Sequence, residues 1–411
     1  GLRVFPSEVD FEVKSYKGAG IGMDVLPALL GVGYICGVRV ASYLLAGGVT
    51  AWFVIMPVIA LFGEDAVLYP ATVPISELGA WGIWSNYIRY IGAGAVAAGG
   101  IFSLIKALPL IIRTFAQAVR GYGKNMEEES RTSQDIPIRV VLVGILITAI
   151  VMWLIPVIPV NLPGAILIVV LGFFFATVSS RMVGLVGSSN NPVSGMAIAT
   201  LIITAAIYKS SGATAEGMVS SIAVGTIICI IAAMAGDTSQ DLKTGYIVGA
   251  TPKKQQYGEL ISVVVSSMAI GGILYLLNAA WGYGSSELPA PQATLMKMVV
   301  EGVMGGNLPW NLVFAGVALA VAAEILTIPV LPFAVGLYLP IHLSTPMAVG
   351  GLVRLWIEKK RGEEEENQKQ MIESGILYSS GLIAGEGLIG ILLAVFAVLP
   401  SKRGGTVGEW L

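Results

Sequence analysis

Charge is what this sequence has least of. Its 411 residues include 24 Lys and Arg and 26 Asp and Glu, together 12%, where soluble domains carry roughly 25%. Net charge is −2 and there is no basic tract, so the electrostatic footprint of a nucleic-acid binder is missing. There is one histidine, His342, which excludes a His-cluster metal site. The two cysteines, Cys36 and Cys229, lie far apart inside apolar runs. That placement suits small buried side chains, not a disulfide framework or a metal pair. No GxxxxGK[ST] stretch is present to cradle a nucleotide, and no HExxH to bind zinc. No cofactor is expected.

Apolar residues are what the sequence has in excess. They make up 55% of the chain, and mean hydropathy is +0.80. So few charges cannot cover a water-facing surface of this size. The excess must face lipid, which predicts an all-α, polytopic integral membrane protein. Taking about 20 apolar residues per crossing, candidate spans are 25–46, 47–61, 87–110, 138–156, 164–186, 193–208, 218–235, 260–277, 312–328, 330–356 and 375–399. That is about 10–11 transmembrane or re-entrant helices. Pro332, Pro340 and Pro346 interrupt 330–356, which reads as a broken or re-entrant element. The 51 glycines suit close helix packing and helix breaks.

The Lys and Arg content of 113–139 marks that loop as cytoplasmic, whereas 63–85 has Glu64, Asp65 and Glu77 but no Lys or Arg and reads as outside. Two crossings per turn then bring 188–191 and 236–258 inside. The basic residues of 354–369 also ask for the inside, although a full crossing at 330–356 puts that loop outside. There is an internal repeat: VLPALLGVGYICGVRVASYLLAGGVTAW, from Val25, resembles VLPFAVGLYLPIHLSTPMAVGGLVRLW, from Val330, and GAVAAGGI from Gly94 resembles GLIAGEGL from Gly381. The chain divides into a polar lead-in (1–24), the end of a first repeat unit with three helices (25–110), a cytoplasmic charged loop (111–137), a second repeat unit (138–399) and a tail (400–411). The first unit is then short of helices, and the start at Gly1 without an initiator Met agrees with a fragment.

Charged groups inside apolar spans cost about 2.5–3.5 kcal/mol each at mid-membrane, so each asks for a role. Glu324, in ALAVAAEILTIP, and Glu386, in GLIAGEGLIG, are candidate proton-coupling groups, because a carboxyl there can be neutral or charged. The alternative is structural pairing with Arg39 or Arg89. Asn190, Asn191 and Ser194 sit at a polar break where a helix entering at Pro192 would aim free N–H groups forward, which suits a carboxylate. An ordinary capped loop fits as well. Asp237, Gln240, Asp241, Lys243 and Tyr246 are spaced so that several share a helical face in the densest polar segment. They are a candidate site lining or gate, or else a plain cytoplasmic loop. Tyr338 and His342 lie in the Pro-broken element GLYLPIHLSTP and are candidate substrate contacts, although a lone histidine is often a structural group.

NNPVSG, GDTSQDLKTGYIVGATPKKQQ and IWSNYIRYIGAGAVAAGG resemble the oligopeptide transporter family, in its prokaryotic branch, with the yellow-stripe-like metal-chelate transporters more distant. The resemblance covers nearly the whole chain, which looks like the C-terminal two-thirds of a member. It implies proton-coupled uptake of small oligopeptides, or of metal chelates or siderophore-like ligands, at a prokaryotic cell membrane. The implied partners are substrate, protons and lipid, with homo-oligomerisation left open. A channel lacks a repeated filter motif here. An intramembrane enzyme lacks a nucleophile–base pair or metal cluster. The expected mechanism is alternating access, with the breaks near 190–194 and 338–342 facing each other across the repeat interface.

Overall fold

A computed structural model describes residues 6, 8–12, 16–121, 131–186, 193–213, 215–285, 288, 290–305, 309–359, 365–400 and 406–407. The chain is all-α apart from a small hairpin in the polar lead-in, where β1 (Glu8–Glu12) pairs antiparallel with β2 (Gly20–Asp24). The helices that follow are α1 (Pro27–Val49), α2 (Met56–Phe62), α3 (Ile75–Ile83), α4 (Arg89–Gly121), α5 (Ile138–Leu154), α6 (Leu162–Val186) and α7 (Val193–Ser210). Then come α8 (Ala215–Ile247), α9 (Pro252–Ala280), α10 (Pro291–Gly305), α11 (Trp310–Ile325), α12 (Val330–Tyr338), α13 (Ile341–Glu358) and α14 (Glu365–Val398). π-helical turns, Thr50–Ile55 and Trp84–Ile88, join α1 to α2 and α3 to α4.

By length and composition, five described stretches can cross a membrane: Pro27–Phe62, Leu162–Arg181, Ala215–Ile247, Pro252–Ala280 and Glu366–Val398. Shorter apolar helices are Ile138–Leu154, Gly195–Ser210 and Trp310–Ile325. No residue of α5 or α9 is buried, and Val263, Val264, Val265 and Met268 stand exposed on α9. Apolar faces this continuous would aggregate in water; in a bilayer they are the solvent-facing surface.

The elements differ from the sequence expectation at several places. The candidate spans 25–46 and 47–61 are one helical stretch, because the π-helical turn carries the backbone through instead of ending it. The span 330–356 is two helices parted at Leu339 and Pro340. At 1.5 Å per residue, α12 is about 14 Å long, too short to cross a bilayer core of about 30 Å. The segment 236–258 is not a loop. Helix α8 runs on to Ile247, a tight turn follows with Gly249 at φ 73°, and α9 begins at Pro252. Cys36 is exposed and Cys229 is half-buried, so the expectation of two buried thiols fails; in lipid an exposed apolar-like thiol costs little.

Two compact units emerge. The first comprises Gly1–Gly99, Ile273–Pro291 and Pro309–Leu411; the second comprises Gly100–Gly272 and Gln292–Leu308. In the second, Ile168, Phe175 and Val178 of α6 pack with Met196 of α7 and Val224 and Ile228 of α8. Asn161 opens α6 by accepting from the Gly164 N–H at 3.0 Å and from the Tyr208 hydroxyl at 2.5 Å. The α8–α9 turn is clasped by Arg131, whose guanidinium donates to the Gly249 carbonyl at 2.9 Å and to Thr251 Oγ1 at 3.2 Å.

In the first unit, α1 packs against α12 and α13 with backbone on backbone. A Cβ on Gly33 would stand 1.9 Å from the Met347 carbonyl oxygen, and one on Gly350 would stand 2.1 Å from that of Leu30. A Cβ on Gly47 would lie 2.1 Å from the Phe333 oxygen, and one on Gly336 would lie 1.9 Å from that of Leu44. Numbers rise along α1 as they fall along its partners, so the pairing is antiparallel. The same interval separates Gly33 from Gly336 and Gly47 from Gly350. With Gly47-Gly48 laid on Gly350-Gly351, Gly33 falls on Gly336 and the two crossings map onto each other. Small residues are the way membrane helices reach this distance.

Candidate functional site

The first unit holds two interrupted helices, and both interruptions are met by side chains that sequence spacing left without a partner. In α1, Gly37 takes φ 77° and ψ 166°, a conformation open to glycine and strained for other residues. The break releases the carbonyls of Tyr34 and Ile35 from helical bonding. Arg354 of α13 fills the gap: its Nη1 donates to the Ile35 oxygen at 2.8 Å and to the Tyr34 oxygen at 3.2 Å. Its Nε donates to Glu358 Oε1 at 2.8 Å, one turn on. An arginine among apolar helices is thus held by two carbonyls and a carboxylate.

The start of α1 is closed in a complementary way. Its first turn has no side-chain cap of its own, and Glu386 of α14 supplies one, Oε2 accepting from the Ala28 N–H at 2.8 Å. A carboxylate at a helix N-terminus is stabilised by the unpaired N–H groups there by about 0.3–1 kcal/mol. Glu324 is half-buried in the last turn of α11.

The second interruption lies between α12 and α13. Tyr338 and His342 flank it and are both buried, His342 to 1% exposure. The imidazole stacks edge-on to Trp52 of the π-helical turn, at 5.3 Å between ring centroids, and tilted on Trp81 of α3, at 4.8 Å. Trp52, Trp81 and Trp84 continue the cluster edge to face. The hairpin lies over the ring: Gly22 of β2 is so close that a Cβ there would stand 1.9 Å from His342 Nε2. Asp10 of β1, cross-strand partner of Gly22, places Oδ1 3.2 Å from the same nitrogen. With its proton on Nε2 the imidazole donates to this carboxylate oxygen. Burial pushes the Asp24 carboxyl at the end of β2 above the usual carboxylate range, His342 pulls it down and Glu8 pushes it up.

Beside this cluster is a cavity of about 620 Å³, lined by Asp24, Leu30, Tyr34, Val353, Tyr378 and Ser379 among others. The volume lies within the range of small-molecule sites, about 300–1,000 Å³. The Tyr34 hydroxyl is buried there without a partner.

Of the residues expected from sequence, Tyr338 and His342 come together across one break, Glu386 meets the start of α1, and Glu324 ends α11; all four belong to the first unit. Asp237, Gln240, Asp241, Lys243 and Tyr246 belong to the second, along the exposed end of α8. There the Asp241 backbone carbonyl accepts from Gln255 of α9 at 3.1 Å. Ser194 lies in the first turn of α7. Asn190 and Asn191 lie outside the described residues. Among the described residues, no group of three His, Cys, Asp or Glu is placed to hold a metal ion. Sequence reading passed over Asp10, Asp24, Trp52, Trp81 and Arg354. Arg354 had a signal, since it stands four residues before Glu358 inside the apolar run VGGLVRLWIE.

The profile of one family, described as OPT oligopeptide transporter protein, matches residues 3–397. A protein of Haemophilus influenzae named "Putative oligopeptide transporter" is 29% identical over 476 aligned positions, covering 100% of this chain and 74% of the relative. The Arabidopsis thaliana protein named "Metal-nicotianamine transporter YSL3" is 25% identical, covering 89% of this chain and 57% of its own length. The chain thus spans about three-quarters of the bacterial relative and under three-fifths of the plant one.

Proposed function

The chain belongs to the oligopeptide transporter family, and from that premise we propose that it works as a secondary active transporter, carrying small oligopeptides with protons across a prokaryotic cytoplasmic membrane. The family consists of transporters and not enzymes, and several long apolar helices make this a multi-pass membrane protein. The observation that carries the finer reading is the pair of interrupted helices in one unit, α1 at Gly37 and α12–α13 at Pro340. The first is met by the partly buried Arg354 and the second is flanked by the buried Tyr338 and His342. Interrupted helices in corresponding parts of a repeat are the usual site of substrate and ion binding in such carriers. The equal spacing of the crossing glycines supports a duplication underlying the two segments. On this reading 25–110 is the end of the first repeat unit and 138–399 is the second.

On this reading Tyr338 and His342 contact substrate in the first unit. In the second unit, taken by itself, the candidate substrate contacts are Asn190, Asn191, Ser194 and, on α8, Asp237, Gln240, Asp241, Lys243 and Tyr246. Glu324 and Glu386 carry the proton. Glu386 suits the role because its ionised form caps α1, so protonation would loosen the start of an interrupted helix. The metal-nicotianamine names among the plant relatives support chelates as a second substrate class.

The test is peptide uptake into proteoliposomes driven by an inward proton gradient. Wild-type protein is expected to accumulate di- to pentapeptides and to lose accumulation when the gradient is collapsed. Glu324→Gln and Glu386→Gln are each expected to abolish accumulation while leaving downhill exchange. Full gradient-driven accumulation by both variants would remove the carboxyls from the coupling step.

A further inference from the structure

The ring of His342 has a carboxylate on it already. Asp10 reaches its Nε2 from an extended strand laid across the tryptophan cluster, and Gly22 of the neighbouring strand is pressed against the same ring. Two further donors in the cluster have no acceptor: the buried indole nitrogens of Trp52 and Trp84. An indole N–H only donates, so both lack the same kind of partner. Trp52 is 1% exposed, which leaves water little access to it. Leaving a buried donor unpaired is costly, so each such group asks for an explanation, and a ligand that brings an acceptor is one.

We infer that the His342–Trp52–Trp84 cluster is a binding site for the carboxylate end of an extended peptide, and that the β1–β2 hairpin occupies it as an internal competitor. The inference rests on the transport reading above and names the part of the substrate this site takes. The hairpin resembles such a ligand in both respects that matter: it is extended, and it presents Asp10. It also disfavours a second carboxylate, because Glu8 and Asp10 stand on β1 and Asp24 on β2. An incoming carboxylate beside Asp10 would meet like charge at short range. Substrate and hairpin therefore compete for the site. When the hairpin leaves, the Nε2–H of His342 and the two buried indole N–H groups are donors left for acceptors that the substrate brings. The tryptophan rings then offer an apolar floor for the last side chain of the peptide.

Calorimetric titration of the full chain in lipid nanodiscs with trialanine and with trialanine amide tests this. The two probes differ only in the terminal carboxylate. The acid is expected to bind about tenfold or more tightly than the amide, the range of a charge-assisted hydrogen bond. Asp10→Asn removes the competitor's charge with no change of shape, and is expected to tighten trialanine binding several-fold, the amide tightening with it to the extent that it enters the same site. His342→Gln and Trp52→Phe are expected to bring the acid-to-amide ratio towards one. That ratio is insensitive to a general loss of folded protein. Equal binding of acid and amide, an unchanged trialanine affinity in Asp10→Asn, or a preserved ratio in His342→Gln each overturns the site. So does absence of trialanine binding to Asp10→Asn. The transport reading fails separately, by lack of gradient-driven uptake in liposomes from protein that still discriminates the two probes.

Discussion

Replacing Gly336 with alanine is expected to destabilise the protein by about 1–3 kcal/mol, the usual cost of forcing extra atoms into a packed interior. The added methyl would stand 1.9 Å from the Leu44 carbonyl oxygen, and that oxygen belongs to the backbone of α1. No rotamer change can relieve the contact, so α1 and α12 must move apart, and every dispersion contact along the seam weakens with them. Alanine is otherwise the better helix former, by about 0.8–1.0 kcal/mol, and the prediction is that the clash outweighs this gain. Gly381→Ala in α14 is the control, since a Cβ there meets nothing within 4 Å. It should leave stability unchanged or raise it. Gly47 sits at the same crossing, against the Phe333 oxygen. A Gly47→Ala, Gly336→Ala double variant should cost less than the two singles together, because one separation of the helices accommodates both methyls. Thermal unfolding of the detergent-solubilised protein reads all four. Equal stability of Gly336→Ala and Gly381→Ala would show that the crossing tolerates expansion.

These glycines show how much of the architecture is written in local pattern. The Gly-Gly pairs in the two matching segments were visible as part of a repeat, and so was the break at Pro340, since a proline removes a donor that any reader can count. The long apolar runs announced the membrane through composition alone. The partners at the breaks were not legible. Gly37 has no sequence signature that separates it from the many glycines that simply pack, and its positive φ arises because Arg354, over three hundred residues away, satisfies the carbonyls it frees. Asp10 and Gly22 looked like part of a polar lead-in, because five-residue strands carry too little periodicity to declare themselves. Their relation to His342 exists only once the hairpin is laid on α13. Glu386 stood out as an ionisable group in an apolar run, and the structural partners weighed for it, Arg39 and Arg89, were cations. The partner shown is a backbone N–H, a donor that every residue except proline carries, and no side-chain pattern marks it.

Arg354→Leu is expected to lower stability by about 2–3 kcal/mol, comparable to losing charge-assisted hydrogen bonds at a partly buried site. Leucine keeps the apolar stem and its packing, so the loss isolates the guanidinium. Two carbonyls would then face apolar surroundings at the Gly37 break, and the Glu358 carboxylate would lose its partner. Arg354→Lys should recover part of the loss, since an ammonium can reach one carbonyl but lacks the planar fork that bonds carbonyl and carboxylate together. Glu358→Gln tests the other side of the arrangement. Its contact with Arg354 is an i,i+4 pair on one helix, worth about 0.3–0.5 kcal/mol, so its removal should be felt far less. The order Arg354→Leu, Arg354→Lys, Glu358→Gln in falling cost, read by chemical or thermal unfolding in detergent, therefore assigns the arginine to the break in α1. Were Glu358→Gln to cost as much as Arg354→Leu, the guanidinium would be serving its own helix, and the break would have to be held open by something else. The distinction bears on transport, because a break closed by one removable cation can change its bonding when a charged solute arrives, whereas one closed by packing cannot.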